Sequence, residues 1–345
     1  MEMTERKNKI LAAIVERYIQ TGEPVGSKAL VDTLGFPISS ATIRNEMADL
    51  IDMGYLEQPH TSAGRVPSTK GYRYYVENLM TAYDMSPAEK NIINHKLQQA
   101  SGEPQSVLET AGNILADLTN CAAISTTPAD SEAVVKRIEL VPIGTHTAMV
   151  VMLTSFGILK TKVCRTDSEI TIDIAEAFYN ITKQNFVGKP AAEITIARIQ
   201  TLALSLGEKA LVMTPLLVAL TELSKMTEKT EMLLKGQANL FSHKELESNA
   251  FELMDFLRRA EPLNTIFDSG TKQPDSAPHV VIGNENIFKE LQNSTMIFSR
   301  YSIGGNAKGS IGIIGPTRVD YARLIPSIKY LTDVVGIILS DNMED

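Results

Sequence analysis

Ile10, Leu11, Ile14, Val15 and Tyr18 fall on one face of a 3.6-residue repeat. That spacing predicts a first helix behind Thr4 as N-cap, stopping at Thr21-Gly22. A short second helix follows, with Ser27 as its cap, Ala29, Leu30 and Leu34 in its pattern and Gly35 to close it. Ser39 and Ser40 are the cap candidates of a third helix, which turns Ile43, Met47, Leu50 and Ile51 inward. Its opposite face shows Thr42, Arg44 and Asn45 in the first turns, and Gly54 ends it. Tyr55-Leu56-Glu57, a polar turn at Thr61-Ser62-Ala63-Gly64 and a second extended run, Tyr72-Arg73-Tyr74-Tyr75, then read as a β-hairpin. Helices followed directly by a hairpin have the pattern of a winged helix-turn-helix.

Beyond a short hinge at Thr81–Asp84, Ser86-Pro87-Ala88-Glu89 forms a capping box, and Ile92, Ile93 and Leu97 continue its helix. Val107, Leu108, Ala111, Ile114, Leu115 and Leu118 make a broad stripe on the next helix, read as core packing or a dimer seam. From Val134 the period shortens. Thr147–Leu153 and Ile158–Cys164 flank Ser155-Phe156-Gly157 as a hairpin. Further strands are predicted at His279–Ile282, Met296–Tyr301 and Ser310–Ile314, with a last helix from about Asp320. Neither strand block makes a comfortable sheet alone, so one sheet interrupted by a helical insertion is the economical reading. Within the insertion, Thr214-Pro215 caps a helix through Leu223, and Met232–Phe241 reads as a small hairpin. Ser242–Glu245 reads as a second capping box, and Asp268–Pro278 as an exposed polar loop.

Charge sharpens the reading of the N-terminal unit. The chain carries a net −8, yet Gln58–Val76 holds Arg65, Lys70 and Arg73 and no acidic residue. Such cations suit phosphate oxygens, while polar side chains early in a helix suit base edges in a major groove. Double-stranded DNA is therefore the predicted partner, with Ser40, Thr42, Arg44 and Asn45 facing bases, Ser39 beside them in the DNA-binding set, and Arg65, Lys70 and Arg73 facing phosphates. A winged-helix fold used only for protein contacts, or a solvated basic hairpin, is the bland alternative. Two isolated cysteines, Cys121 and Cys164, read as buried free thiols, and no signal peptide or membrane span is predicted, which places the chain in the cytoplasm.

Catalytic signatures do not survive inspection, and no catalytic residue, cofactor or metal is predicted. Gly304-Gly305-Asn306-Ala307-Lys308-Gly309-Ser310 is glycine-rich, but Lys308 precedes Gly309, which breaks the phosphate-loop spacing, so it reads as a turn between strands. His60, His95, His146, His243 and His279 are scattered, without zinc-ligand spacing. Arg318 and Asp320 read as capping and pairing groups at the start of the last helix.

Three stretches carry a resemblance: EPVGSKAL at 23–30, SATIRNEMADLIDMGYLEQPHTSAGRVPSTKGYRYYV at 40–76 and GSIGIIGPTRVDYARLIP at 309–326. Together they resemble the bacterial heat-inducible transcription repressors of the HrcA family along essentially the whole chain. The resemblance implies an α+β multidomain protein: an N-terminal winged helix-turn-helix, then a GAF-like α/β domain interrupted by an inserted dimerisation domain. The corresponding bounds are 1–80 for the head, 81–169 and 243–345 for the split domain, and 170–242 for the insert. It further implies a homodimer on an inverted-repeat operator upstream of chaperone operons, with activity modulated by the chaperonin GroEL. Two rivals stay open: a metabolite-sensing winged-helix regulator, and a winged-helix enzyme of the biotin ligase-repressor kind, for which no nucleotide loop is found.

Overall fold

Thr4, Ser39, Ser68 and Ser86 start four helices in the same way: each hydroxyl accepts the backbone N–H three residues on. That bond satisfies one of the donors that the first turn of a helix leaves free. These caps are seen in a computed structural model that describes residues 2–344 except 60–63, 129–132, 156, 228, 248, 260–262, 264, 265, 268–276, 305 and 306.

The N-terminal unit holds α1 (Glu5–Thr21), α2 (Ser27–Val31) and α3 (Ser40–Asp52), then a ribbon of β1 (Leu56–Glu57) and β2 (Val66–Pro67). Gly22 ends α1 at φ 70°, where a side chain would be strained. Ile10, Ile14, Leu30, Ile43 and Leu50 are fully buried between the helices. Two expectations fail here. Gly26, not Ser27, is the N-cap of α2, and Tyr72–Tyr75 is not the second strand. The ribbon pairs Leu56 with Pro67 and Glu57 with Val66; the tyrosines lie on α4 (Thr69–Tyr74) and its π-helical continuation to Leu79. Ser68 decides this, because its hydroxyl accepts from Gly71 N at 3.0 Å and donates to Gly54 O at 2.6 Å, starting a helix at the ribbon's base. The polar turn predicted at 61–64 lies, except for Gly64, outside the described residues.

Next come α5 (Pro87–Gln99), whose capping box between Ser86 and Glu89 is present, α6 (Pro104–Thr119) and β3 (Ala122–Thr126). Here the chain leaves the main sheet. β4 (Val135–Gly144), β5 (Thr147–Thr154) and β6 (Leu159–Arg165) form a separate three-stranded antiparallel sheet, β4-β5-β6. α7 (Ile172–Asn185), α8 (Ile196–Leu204) and α9 (Ala210–Thr227) cover one side of it, sealing a core of its own around Val150, Met152, Phe178, Leu216 and Leu220. β7 (Met232–Lys235) then returns the chain to the main sheet beside β3, pairing Met232 with Thr126. The insertion therefore opens after β3 and closes before β7. The predicted start at residue 170 is too late, because strands 135–165 bury their apolar face under α7–α9 and not in the main sheet.

α10 (Ala250–Leu257), β8 (His279–Ile282), β9 (Ser294–Ile303), β10 (Ala307–Pro316) and α11 (Tyr321–Glu344) complete the chain. The main sheet is antiparallel in the order β7-β3-β10-β9-β8. Alternation along β9 splits its faces: Ile297, Tyr301 and Ile303 join the core with α6 and α11, while Met296 and Phe298 join Phe256 and Leu257 of α10 on the other side. The first of these cores runs without a break into the N-terminal unit.

Three further differences have physical causes. Met232–Phe241 is an edge strand followed by a 3₁₀ turn, because β3 offers Met232–Lys235 a longer ladder than a tight hairpin would. Ser242 does not cap a helix, since Glu245 is drawn to Arg318. Pro215 lies inside α9, not at its start, and the stretch Gly207–Thr227 (mean hydropathy 1.3) is by length and composition apolar enough to cross a membrane, although Glu208, Lys209, Glu222 and Lys225 interrupt it. Its apolarity has a packing cause: 56% of that window is buried, against β5 and β6. Cys121 and Cys164 are buried free thiols as predicted, and burial raises the Cys121 pKa to about 11. Most of the predicted loop 268–278 lies outside the described residues.

Candidate nucleic-acid interface

The orientation of α3 is fixed from its inner side. Ile43, Met47 and Leu50 pack inward, and Glu46, 5% exposed, sits among them. Lys7 of α1 reaches Glu46 at 2.8 Å and Asp49 at 2.9 Å, and Arg6 adds a second cation to Glu46. Burial works against the Glu46 carboxylate, but the hydrogen bonds from Lys7 and Arg6 outweigh it and hold its pKa below the usual range. Apolar packing alone would tolerate a small rotation of α3 about its axis; charged pairs at consecutive turns of one face do not.

With that side pinned, Ala41, Arg44, Asn45 and Ala48 are the exposed face of α3. Among the described residues, the Arg44 and Asn45 side chains make no hydrogen bond or ion pair, so their donors point to solvent uncommitted. The two alanines keep the face thin between them. Ser39 and Thr42 are engaged with each other: the Ser39 hydroxyl accepts from Thr42 N at 3.1 Å and lies 2.9 Å from Thr42 Oγ1. They order the first turn of α3, and Ser40 beside them is half-buried.

The three basic residues predicted to share one hairpin separate in space. Arg65 alone is on the ribbon side, where its backbone exchanges bonds of 2.9 and 2.8 Å with Val25 and so stitches the ribbon to the loop before α2. A side chain at Gly64 would meet Pro24 O at 2.6 Å, which is why glycine precedes Arg65. Lys70 lies past the ribbon's base. Its ammonium donates to Met53 O at 2.8 Å and sits 4.5 Å over the Tyr55 ring, satisfying a carbonyl at the C-terminal end of α3. That end is about 20 Å from Ser39, given thirteen residues in α3. Arg73 faces away from α3 altogether, with Nε donating to Glu285 Oε1 at 2.8 Å and a terminal nitrogen to Val280 O at 2.6 Å. The helical state of Tyr72–Tyr75 turns Arg73 toward the body, so the phosphate role expected of it is withdrawn.

One cation escaped the sequence reading. Lys28 is exposed on α2 and, among the described residues, has no partner. Its signal was present in EPVGSKAL, where Leu30 is buried and Lys28 points outward from a helix that packs on α3.

A family model described as the HrcA protein C-terminal domain matches residues 105–325. The chain belongs to the HrcA family. Over nearly the full length it is 32% identical to the heat-inducible transcription repressor HrcA of Acetivibrio thermocellus, spanning 96% of this chain and 95% of that protein. To the Clostridium acetobutylicum repressor it is 34% identical, with 97% of both chains covered. A crystal structure titled as a hypothetical protein aligns over 99% of both chains with a TM-score of 0.66 at 24% identity, and so shares the fold. As an HrcA family member, the protein is a transcription repressor of the heat-shock response. Among the described residues, no group of three or more His, Cys, Asp or Glu side chains is gathered as a metal site would require.

Proposed function

We propose that the protein represses by occupying DNA as a homodimer, each head laying α3 in the major groove of one half of an inverted-repeat operator. The observation that carries this is the face Ala41, Arg44, Asn45 and Ala48, exposed on a helix whose opposite side is pinned by Glu46. Arg44 fits guanine and Asn45 adenine, each by a bidentate contact. Lys28 and Arg65 flank that face as phosphate contacts, and the unit acts as a winged helix-turn-helix. Ser39 and Thr42 order the helix start, Ser40 adjoins it, and Lys70 supports its far end.

Pairing of two copies is supported by the insert. The face of its sheet away from α7–α9 exposes Val141, Ile143, Leu159 and Val163, with Met149, Val151 and Leu153 half-buried between. An apolar sheet face of that extent is what a dimer seam would cover. We read the main sheet with its helices as a GAF-like domain, the insert as the dimerisation domain, and the cytoplasm as the site of action. Control by the chaperonin GroEL fits the same surface: an unpaired, apolar insert is a substrate for chaperonin, and released chains pair and bind DNA. For the metabolite-sensing alternative, the apolar cavity between α5, α6 and α11, about 130 Å³, is small beside the roughly 300–1,000 Å³ of typical ligand sites, whereas the open cleft along β9 and α11, about 670 Å³, falls within that range.

The test is binding to an inverted-repeat promoter fragment and to scrambled DNA at two salt concentrations, with and without chaperonin. Preference for the repeat that depends on dimer concentration and rises with chaperonin is the expected result. Equal, weak and strongly salt-sensitive binding to both DNAs would leave only non-specific charge attraction.

A further inference from the structure

The segment Thr317–Tyr321 lies in one of the stretches that carry the resemblance, and the DNA-binding reading above gives it no task. In the structure it faces the head. Arg318 Nη1 donates to Ile19 O, near the end of α1, at 2.9 Å, while its Nε bonds Glu245. The Tyr321 ring lies 5.7 Å from the ring of Tyr72 on α4, and its hydroxyl is held by Thr317 O and Thr295 at 2.7 and 2.8 Å. On the other side of this aromatic pair, Arg73 of α4 is forked onto Glu285 and Val280 O. Glu285 is itself fixed by Ile282 N at 2.8 Å, and Asn286 ties the same turn to Gly283 O, Leu291 O and Ser294 O.

We propose that Arg73–Glu285 and Arg318–Glu245 are positioning pairs that set the angle at which each DNA-binding head leaves the body, and thereby select the spacing between operator half-sites. This rests on the DNA-binding reading given above. Three features carry it. The contacts reach two elements of the head, Ile19 at the end of α1 and Tyr72 with Arg73 on α4, and add directional bonds to the apolar core that runs from body into head. Both pairs are directional, since each arginine bonds a carboxylate and a backbone carbonyl at once, a geometry lysine cannot reproduce. Finally, the pairs are only partly buried, with side chains 24–30% exposed, so they contribute modestly to stability while still constraining direction. The chain between head and α5, residues 80–86, has no regular structure and is tied to the body at Tyr83, whose N donates to Ala322 O at 3.0 Å, and at buried Met85. None of these side chains touches the exposed face of α3, so their effect on DNA runs through head placement.

Two readouts on the full-length protein test it. The first compares affinities for inverted repeats whose spacer is lengthened or shortened by two to five base pairs, and for one isolated half-site. Wild type should prefer one spacer by at least about tenfold, since a misplaced head forfeits a half-site. Glu285→Gln and Arg318→Gln should each flatten that preference to under about threefold, with half-site affinity unchanged. The second readout needs no DNA: spin labels at exposed Lys28 and Ile337 report the head-to-body distance distribution. It should be single and narrow in wild type and broader in both variants. If both variants keep the wild-type spacer profile, or both keep the narrow distribution, the proposal is overturned, whatever their thermal stability. Should wild type prefer no repeat over scrambled DNA while the variants broaden the distance, head positioning stands and the DNA reading falls instead.

Discussion

Gly71 sets two physical effects of similar size against each other. It lies inside α4, where alanine is favoured over glycine by about 1 kcal/mol on helix propensity alone. But an added Cβ would stand 2.1 Å from Tyr55 O, whereas a comfortable carbon–oxygen approach is about 3.3 Å. The neighbour is backbone, so α4 must retreat by roughly 1.2 Å from the ribbon's base, the difference of those distances. Ser68 N donates to that same Tyr55 O at 3.1 Å, and a retreat of this size would break the bond. Overpacking against a rigid group costs about 1–3 kcal/mol, and the lost hydrogen bond about 1 kcal/mol more. The clash therefore outweighs propensity, and Gly71→Ala should destabilise the head by about 2 kcal/mol. Urea unfolding followed by circular dichroism measures this, with Gly102→Ala as the control. Nothing lies within 4 Å of a Cβ at Gly102, so that change should be neutral or stabilising by up to about 1 kcal/mol. A Gly71→Ala protein as stable as wild type would refute the reasoning, because the approach to Tyr55 would then not be tight.

Other outcomes follow from the same geometry. Arg44→Ala should lose roughly 1–3 kcal/mol on the operator and little on scrambled DNA, whereas Lys28→Ala should weaken both alike and reduce the salt slope by about 1; competition binding at several salt concentrations separates them, and a uniform loss for Arg44→Ala would remove it from base reading. The Glu46 carboxylate is held below its usual range in the fold, so its contribution is complete above its unfolded pKa of roughly 4.3 and is lost as pH falls through the lower folded value. Lys7, raised by its bonds to Asp49 and Glu46, adds stability that disappears only as pH rises beyond the usual lysine range. Urea midpoints between pH 5 and 3 should therefore fall less steeply in Glu46→Gln than in wild type, and coincident acid limbs would show that the pair does not contribute. Val163→Asp, placing a charge on the open face of the insert's sheet, should shift sedimentation toward monomer while leaving the circular dichroism spectrum intact; an unchanged dimer would move the seam elsewhere.

What the sequence determined by itself is the set of features satisfied within a few residues of chain. Thr4, Ser39 and the Ser86–Glu89 box cap their helices as read, because a hydroxyl and the N–H three residues on need nothing else. The face of α3 was legible for the same reason: on any helix Asn45 lies opposite the stripe of Ile43, Met47 and Leu50, and Arg44 beside that stripe, so both fall outside it. Only the tertiary structure decided features whose partner is distant. Tyr72–Tyr75 has the composition of a strand, yet Ser68 bridges to Gly54 and makes it a helix. Arg73 reads as a free hairpin cation until its carboxylate, 212 residues away, comes alongside. Strand β3 meets β7 across the whole insertion, so no local pattern could say which strands belonged to which sheet. Local chemistry is written into neighbouring residues; pairing across hundreds of residues is set by which apolar faces can be buried together, and that is settled only when the chain has folded.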